Sequence, residues 1–188
     1  MIEPGPGTVK LETDRLILRR FTMDDAYDMY ANWAGDDEVT RFLVWPTHAG
    51  LDVSREVIDG WLKDYECPGQ YIWCLEFKGD HQAIGSLGVV GRNPETGAAW
   101  EIGYCLSRAF WGQGLMSEAL TAVVRFLFDQ AGAGILEARI DKRNLKSESV
   151  LTKCGFKFNR VDVGGGLNNL GRYDAQIYRI EKPSNAAS

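Results

Sequence analysis

The sequence predicts a mixed α+β fold in which a central, mixed, mostly antiparallel twisted sheet is flanked by helices. Segments with apolar residues at every second position recur along the chain and predict strands. Other segments carry apolar residues three and four positions apart, as is typical of helices with one buried side. Most predicted strands follow one another through short turns and should pair antiparallel. A helix at 114–131 separates two strands, which should therefore run parallel.

The N-terminal half is predicted to begin with a loose arm at 1–9. The elements that follow are predicted as a strand at 11–21, a helix from 25 to about 33, a short helical segment at 37–43, a helix at 52–65, and a hairpin with strands at 71–77 and 83–90. Thr22 and Asp25 have the spacing of a capping box, which marks the start of the first helix. Val53, Val57 and Trp61 recur every four residues, which supports the 52–65 helix.

The C-terminal half alternates strands with helices. Its predicted elements are a turn at 93–97, a strand at 98–106, a helix at 114–131, a strand at 135–141, a helix at 147–154, a hairpin with strands at 156–163 and 173–181, and a loose tail at 183–188. The last hairpin is expected to turn around the glycines at 164–166. No repeat, linker or low-complexity block interrupts the chain, so a single domain of residues 1–188 is expected.

The turn between the 98–106 strand and the 114–131 helix reads Trp-Gly-Gln-Gly-Leu-Met at 111–116. Its two glycines allow a sharp turn and a close approach to a ligand. The first N–H groups of the helix point into the turn without an intrahelical partner, which favours phosphate binding. A tight structural connection explains the same residues, so the turn alone does not decide between the two. A Walker loop would need a lysine here, and a dinucleotide fingerprint would need a third glycine where Ser117 stands.

Composition and charge exclude several classes of protein. The 188 residues carry a net charge of -5, and no basic cluster is longer than Arg19-Arg20, so direct nucleic-acid binding is not expected. No apolar run is long enough for a membrane span, and the first residues lack the pattern of a signal peptide. The four cysteines show no CxxC pair, so no metal site is expected. These features predict a cytoplasmic protein with free thiols.

The 111–116 turn resembles the acyl-CoA pyrophosphate loop of the GCN5-related N-acetyltransferase (GNAT) family, Gln/Arg-x-x-Gly-x-Gly/Ala. Its Trp-Gly-x-Gly form, followed by Glu-Ala-Leu, is similar to the RimJ/RimL-like branch. Further segments resemble that branch in the same order: Thr-Asp-Arg-Leu-Ile-Leu-Arg at 13–19, Phe-Leu-Val-Trp-Pro at 42–46, Asn-x-x-Ser at 144–147 and Lys-Cys-Gly-Phe at 153–156. The resemblance covers nearly the whole chain. Two residues depart from it: Trp111 replaces the usual Gln/Arg, as is common in this branch, and Met116 replaces the small residue. The bulk of Met116 is expected to crowd the phosphates and weaken binding, which should survive because the backbone N–H remains.

The resemblance implies the GNAT acyl-CoA N-acyltransferase fold and an acetyl-CoA donor. In that fold a bulge splays the 98–106 strand from the 135–141 strand and opens a V-shaped cleft for the cofactor. Carried over position by position, the implied cofactor-binding residues are Cys105 or Leu106, Gly112, Gln113, Gly114, Leu115, Met116, Ser117 and Asn144. Asn144 has the alternative role of a helix-start residue.

Two residues are candidates for proton transfer. Glu101 lies on the polar side of the central strand, where burial would raise the pKa of its carboxyl and suit a general base. Its alternative role is a cross-strand ion pair; Asp174 and His48 are weaker candidates for the base. Relatives commonly use a tyrosine acid where this chain has Leu151, and Ser147 matches the serine of the branch. Ser147 is therefore a candidate for passing a proton or positioning a water, and its alternative role is an N-cap, which is compatible with the first.

Tyr30 and Trp45 are the predicted acceptor-binding residues, because the resemblance places the amine between the first helices and the last hairpin. The sequence thus predicts an acetyl-CoA-dependent N-acetyltransferase, in which a primary amine of a protein N-terminus or a small molecule attacks the thioester directly. A CoA-binding module without catalysis is the alternative, favoured by Met116 and Leu151. An NAD-type oxidoreductase is a weaker third hypothesis. The amine, the acyl length and whether the chain forms a homodimer stay open.

Overall fold

The computed structural model describes residues 5–67, 69–92 and 99–183 and contains one eight-stranded sheet. The strands are β1 (Leu11–Glu12), β2 (Leu16–Arg19), β3 (Ile72–Phe77), β4 (Ala83–Arg92), β5 (Ala99–Leu106), β6 (Ile135–Asp141), β7 (Lys157–Asn168) and β8 (Gly171–Glu181). Their order in the sheet is β1-β2-β3-β4-β5-β6-β8-β7. All neighbours pair antiparallel except β5 and β6, which are parallel. The mostly antiparallel mixed sheet is as the sequence predicts.

Helices cover both faces of the sheet. They are α1 (Ala26–Met29), α2 (Asp37–Thr40), α3 (Leu51–Asp64), α4 (Leu115–Asp129) and α5 (Leu145–Lys153). A 3-10 turn at Met23–Asp25 leads into α1, which continues as a π-helical turn at Tyr30–Ala34. The predicted capping box is present, since the Thr22 N–H donates to Asp25 Oδ2 at 2.7 Å. No helix within the described ranges has the length and apolarity to cross a membrane.

The two faces of the sheet carry separate apolar cores, because side chains alternate along each strand. Ile102 and Leu106 of β5 pack with α4 and α5 in the larger core, while Cys105 packs on the opposite face with α1 and α3. α4 contributes the broad apolar surface that its sequence predicts, with most of its residues buried.

The sheet opens between β5 and β6. From Ala99 onward the two strands pair at three positions, Ala99↔Ile135, Trp100↔Leu136 and Glu101↔Glu137. Beyond Glu101, β5 continues to Leu106 beside β4, and β6 continues to Asp141 beside β8. A V-shaped cleft therefore lies between the C-terminal ends of two adjacent strands. The splay that the family resemblance implied is confirmed.

Three details differ from the sequence prediction. The 11–21 strand is a short β1–β2 hairpin, because Thr13 bonds to Leu16 and turns the chain. The bulge near the cleft lies in β4, where Val90 is the extra residue opposite Ile102 and Glu101, and not in β5. The end of the predicted loose arm is fixed, because Thr8 is buried and its Oγ1 accepts the Ile72 N–H at 2.9 Å. The predicted turn at 93–97 lies outside the described residues, as do 1–4 of the arm and 184–188 of the tail.

The last hairpin also turns later than predicted. β7 and β8 remain paired past the glycines at 164–166 and turn at Asn169–Leu170, where the Leu170 N–H donates to Asn168 Oδ1. The glycines form an irregularity within β7, between the Asp162↔Ala175 and Gly166↔Tyr173 pairs. The longer hairpin carries its tip toward the helices on the α1–α3 face.

Candidate active site

The glycine turn has the backbone conformation that its sequence predicts. Gly112 has φ 75° and Gly114 has φ 78°, both in the left-handed region that side chains disfavour. Gly114 is the N-cap of α4, and the first N–H bonded back along the helix is that of Glu118, to the Gly114 carbonyl. The N–H groups of Leu115, Met116 and Ser117 therefore have no intrahelical acceptor and face the turn.

Met116 does not crowd this turn. Its side chain is 5% exposed and packs in the core between α4 and the sheet. The expected clash with phosphates is therefore wrong, because the helix directs this side chain inward while the backbone N–H remains at the turn.

Arg15, in the β1–β2 turn, holds the glycine turn from outside. Its N–H and Nε donate to the two carboxylate oxygens of Glu118, at 2.9 and 2.8 Å. Its Nη1 donates to the Gln113 carbonyl at 3.0 Å. The opening motif and the glycine turn are thus in direct contact, although about a hundred residues separate them. The sequence did not reveal this contact, since nothing local couples the two segments.

The cleft edge of β5 can be identified from its hydrogen bonds. Ser107 N–H donates to the Ile84 carbonyl of β4 at 2.7 Å. Backbone groups alternate between the two edges of a strand, so Cys105 also faces β4 while Leu106 faces the cleft. Of the two predicted thioester contacts, the geometry favours Leu106. The Cys105 thiol is buried next to Ser86 Oγ, 3.2 Å away.

Trp111 closes one side of the cleft near the glycine turn. Its indole Nε1 donates to the Leu106 carbonyl at 2.8 Å, so that carbonyl already has a partner while the N–H stays directed at the cleft. The Lys146 ammonium lies 3.7 Å from the centre of the Trp111 ring. This cation–π contact brings a positive charge from α5 beside the turn.

The sequence left the N-cap of α5 open between Asn144 and Ser147. Asn144 is the N-cap of α5, and its Oδ1 accepts the Ser147 N–H at 3.2 Å. Ser147 is therefore not the N-cap, and its hydroxyl is available for another contact. That contact is Tyr104 of β5, whose Oη lies 2.8 Å from Ser147 Oγ. Leu151, at the position of the usual tyrosine acid, is fully buried.

Tyr104 is the residue that the sequence analysis missed. Alternation placed it on the apolar side of β5, and in the structure its ring does pack against the α4 core. Its hydroxyl, however, reaches α5 beside the splayed end of β5. Burial raises the pKa of Tyr104 well above its usual range, so the phenol stays protonated at neutral pH. The sequence signal that could have identified it is a lone hydroxyl within an otherwise apolar strand face.

Asp141 fixes the end of β6 next to this pair. It accepts hydrogen bonds from the Arg143 N–H and guanidinium and from Asn168 Nδ2 of β7. The Arg143 guanidinium holds the pKa of Asp141 at about 2, below its ordinary value. Asp141 thus joins β6, the turn into α5 and the last hairpin.

Glu101 lies at the closed end of the V, and its side chain is 37% exposed rather than buried as expected. Arg139 Nε is 3.6 Å from Glu101 Oε1, so the cross-strand ion pair is present. Arg139 also donates to Asp162 Oδ2 at 2.6 Å and to the Gly165 carbonyl at 3.2 Å. Glu101, Arg139 and Asp162 border a cavity of about 360 Å³ beside the paired part of β5 and β6, and its lining residues come from β4 to β8. Exposure to this cavity leaves Glu101 accessible to a substrate.

The glycines of β7 leave space for the side chains of Asp162 and Tyr173 next to Arg139. A Cβ on Gly165 would lie 2.0 Å from an oxygen of Asp162, and one on Gly166 would lie 2.3 Å from the Tyr173 ring. Their absence of side chains lets Asp162 fold back onto Arg139 and lets Tyr173 lie against the backbone. Asp174, a weaker candidate for the base, accepts the Gly164 N–H at 2.8 Å and shapes the same segment.

The predicted acceptor residues do not share one cavity with Glu101. Tyr30 borders a separate open depression with Asp36 and Arg108. Trp45 packs against His48, with ring centres 5.2 Å apart. His48 is buried and its Nδ1 lies 2.8 Å from Ser54 Oγ.

The hairpin tip reaches the segment that carries Trp45. Asn169 Nδ2 donates to the carbonyls of Thr40 and Trp45, both at 2.9 Å. These two bonds connect the last hairpin to the α2 region across 124 or more positions of sequence. Over the part of the chain that the structure describes, no group of three or more His, Cys, Asp or Glu side chains could hold a metal ion.

Comparison with known proteins gives one family. The family model for the acetyltransferase (GNAT) domain matches residues 15–157. The uncharacterized N-acetyltransferase YoaA of Bacillus subtilis is 31% identical over 173 residues, covering 92% of this chain and 97% of that protein. The [ribosomal protein uS5]-alanine N-acetyltransferase of Escherichia coli is 27% identical over 158 residues, covering 79% of this chain and 78% of that protein.

Solved structures show the same fold. The microcin C7 self-immunity acetyltransferase MccE, in complex with acetyl-CoA and AMP, superposes with a TM-score of 0.81 at 19% identity and covers 97% of this chain and 100% of that one. The ribosomal-protein-S5-alanine acetyltransferase of Vibrio fischeri gives a TM-score of 0.81 at 17% identity, covering 94% and 98%.

Proposed function

The chain belongs to the GNAT acetyltransferase family, and from this we propose that it transfers the acetyl group of acetyl-CoA to a primary amine. The observation that carries the proposal is the splay of β5 from β6 beyond Glu101, next to a turn with two left-handed glycines. An extended thioester arm fits a gap between strands, and a pyrophosphate fits the adjacent helix start. The proposal treats residues 1–188 as one cytoplasmic catalytic domain.

Residues from three elements would hold the donor. The N–H groups of the segment 112–117 face the pyrophosphate, and the Leu106 N–H faces the thioester carbonyl. That N–H would stabilise the negative charge that develops on the carbonyl oxygen. Lys146 would supply a nearby positive charge. Asn144 already bonds to Ser147 through its oxygen, which leaves its amide N–H₂ group for the cofactor.

Ser147 and Glu101 would move the protons. The amine attacks the thioester carbonyl, the carbon–sulfur bond breaks, and the Ser147 hydroxyl donates its proton to the departing CoA sulfur. Ser147 regains a proton from solvent, to which Glu101 releases the proton of the amine. Glu101, exposed to the cavity beside Arg139, accepts a proton from the amine through water, because five strand positions, about 16 Å, separate it from Leu106. Its exposure favours it over His48, which is buried against Ser54, and over Asp174, which accepts the Gly164 N–H of β7. The reaction needs no covalent enzyme intermediate.

The acceptor approaches from the α1–α3 face in this proposal. The hairpin tip, held by Asn169, and the segment from Tyr30 to Trp45 bound that side. The E. coli relative named for the alanine of uS5 supports a peptide N-terminus as the first acceptor class to test. A small amine is the other class to test, since the structure of MccE holds a small molecule, AMP, together with acetyl-CoA.

The first experiment is thermal unfolding with acetyl-CoA, CoA, NAD and ATP in parallel, followed by mass spectrometry of acetylated peptides and amines. A ligand at about 100 times its dissociation constant adds roughly 2.7 kcal/mol, which raises Tm by several degrees in a domain of this size. Stabilisation by acetyl-CoA and CoA with acetylation of an amine supports the proposal. Stabilisation by CoA without turnover on any amine supports the CoA-binding module, and stabilisation by NAD alone contradicts both.

A further inference from the structure

Tyr104 and Ser147 form a hydroxyl pair across two elements that border the cleft. Tyr104 comes from the part of β5 beyond its pairing with β6, and Ser147 comes from the first turn of α5. Their oxygens are 2.8 Å apart, and both side chains are half-buried. Tyr104 Oη also lies 3.3 Å from the Ser147 carbonyl, so the phenol is held against the start of the helix.

The protons of the pair can be assigned from their surroundings. Each hydroxyl has one proton, so only one of the two can donate across the 2.8 Å contact. Burial keeps the Tyr104 phenol protonated, and both acceptors described for that proton, Oγ and the carbonyl, belong to Ser147. When Tyr104 donates to Oγ, the Ser147 proton is released from this contact and can point into the cleft.

We propose that Tyr104 is a positioning residue that fixes the Ser147 hydroxyl so that its proton is directed at the sulfur of CoA. The inference rests on the proposed function, because it places the sulfur beside Ser147. It also explains how a helix-start serine can replace the tyrosine acid whose position Leu151 occupies. A strand tyrosine then takes the orienting role from the opposite wall of the cleft.

The matched control is Tyr178→Phe. Tyr178 is buried, and its hydroxyl donates to Glu148 Oε1 at 2.7 Å, so it bonds to the residue of α5 next to Ser147. Removing this hydroxyl perturbs the same helix by a similar amount but leaves the Tyr104–Ser147 contact in place. A purely structural effect on α5 would appear in both Tyr→Phe variants.

The first test uses a double-mutant cycle of Tyr104→Phe and Ser147→Ala, with kcat and the KM of acetyl-CoA measured on a confirmed acceptor. We expect Tyr104→Phe to lower kcat about tenfold, the rate equivalent of one lost hydrogen bond, at unchanged KM. In the Ser147→Ala background the same change should lower kcat less than twofold, because Tyr104 acts through Ser147. Equal losses in both backgrounds, or an equal loss in Tyr178→Phe, overturn the proposal.

The second test does not depend on turnover. The thiolate absorbance of CoA bound to the protein is titrated against pH, with the desulfo-CoA complex as the blank. We expect the pKa of the bound thiol to be higher in Tyr104→Phe and in Ser147→Ala than in the unchanged protein by about half a unit to one unit, because Ser147→Ala removes the donor to the thiolate and Tyr104→Phe leaves that donor unoriented. An unchanged thiol pKa in both variants overturns the inference even if the protein acetylates amines. A chain that binds CoA and shows the shift without turnover contradicts only the catalytic proposal.

Discussion

Gly112 and Gly114 hold the backbone of the turn in the left-handed region, on either side of Gln113. Gly112→Ala places no atom within 4 Å of a neighbour, so its cost is backbone strain of about 1–2 kcal/mol. We expect this strain to reorient the turn and to weaken CoA binding at least tenfold in isothermal calorimetry.

Gly132→Ala is the matched control for Gly112→Ala. Gly132 has φ +82° and the same open surroundings, but it follows the C-terminal end of α4. We expect a similar loss of Tm with unchanged CoA affinity. If both variants bind CoA equally well, the glycine turn is not the phosphate site.

The sequence pattern predicts on which side of β5 Tyr104 lies but does not predict the contact of its hydroxyl. Alternation correctly gives the side of β5 on which Tyr104 lies, because that depends on the strand alone. Its contact with Ser147 depends on where α5 begins relative to the splayed strand, which is a property of the whole sheet. The sequence left the N-cap of α5 open between Asn144 and Ser147, and the structure assigns it to Asn144.

At the scale of elements, the β1–β2 hairpin meets the start of α4 through Arg15. Arg15→Ala removes the donor to the Gln113 carbonyl and the ion pair to Glu118. Because the pair is partly exposed, we expect a loss below about 1 kcal/mol in the free energy of unfolding. The affinity for CoA should fall three- to tenfold, because the turn loses its outer support.

Arg55→Ala serves as the control for Arg15→Ala, since it breaks an exposed ion pair with Asp52 on α3 at 2.9 Å. It should leave CoA affinity unchanged. Equal affinities of the two variants for CoA would show that Arg15 supports only stability.

The tip of the β7–β8 hairpin is joined to the α2 region by the two bonds of Asn169. Asn169→Ala frees the tip, and we expect the KM of the amine to rise about fivefold or more while CoA affinity stays constant. Steady-state kinetics with each substrate varied in turn separates an effect on the amine from an effect on acetyl-CoA. A rise in the KM of acetyl-CoA instead would place the tip on the donor side.

The turn of the last hairpin was predicted at 164–166 but lies at Asn169–Leu170, and the difference has a physical cause. Three consecutive glycines at 164–166 are typical of a turn when only neighbours in sequence are considered. In the fold, two of them are required by Asp162 and Tyr173, whose side chains occupy the space of a Cβ. Arg139 of β6 is the third participant, and its approach cannot be read from β7 alone.

For the molecule as a whole, the free energy of unfolding should depend on pH in the acidic range through Asp141. Its pKa of about 2 lies below the ordinary value, so the ionised form stabilises the fold above about pH 4, and this contribution is lost as the pH falls toward 2. Allowing for the exposure of Arg143, the contribution is about 1–2 kcal/mol. Asp141→Asn should be less stable at pH 6 and lose less free energy of unfolding between pH 4 and 2. Urea titrations at pH 6, 4 and 3 measure this, and parallel pH curves for both proteins would contradict it.

The overall architecture could be predicted from three local properties: the spacing of apolar residues, the glycines that end helices, and the order of the elements along the chain. The fold leaves these properties unchanged. α4 and the β3–β4 hairpin lie where their patterns place them. The splay of β5 from β6 was implied by the family resemblance, because the spacing of apolar residues does not reveal it. The contacts that arrange the site, such as Arg15 with Gln113 and Asn169 with Trp45, join distant segments and required the structure.

The opening between β5 and β6 divides the chain as well as the sheet. β1 to β5 come from residues 11–106 and β6 to β8 from residues 135–181, with three residue pairs joining the two groups from Ala99 onward. In the proposed complex a donor arm would add the backbone bonds that these groups lack. One apolar core already packs both groups against α4, so we expect unfolding to remain a single transition, while filling the cleft slows local opening between β5 and β6 in hydrogen exchange.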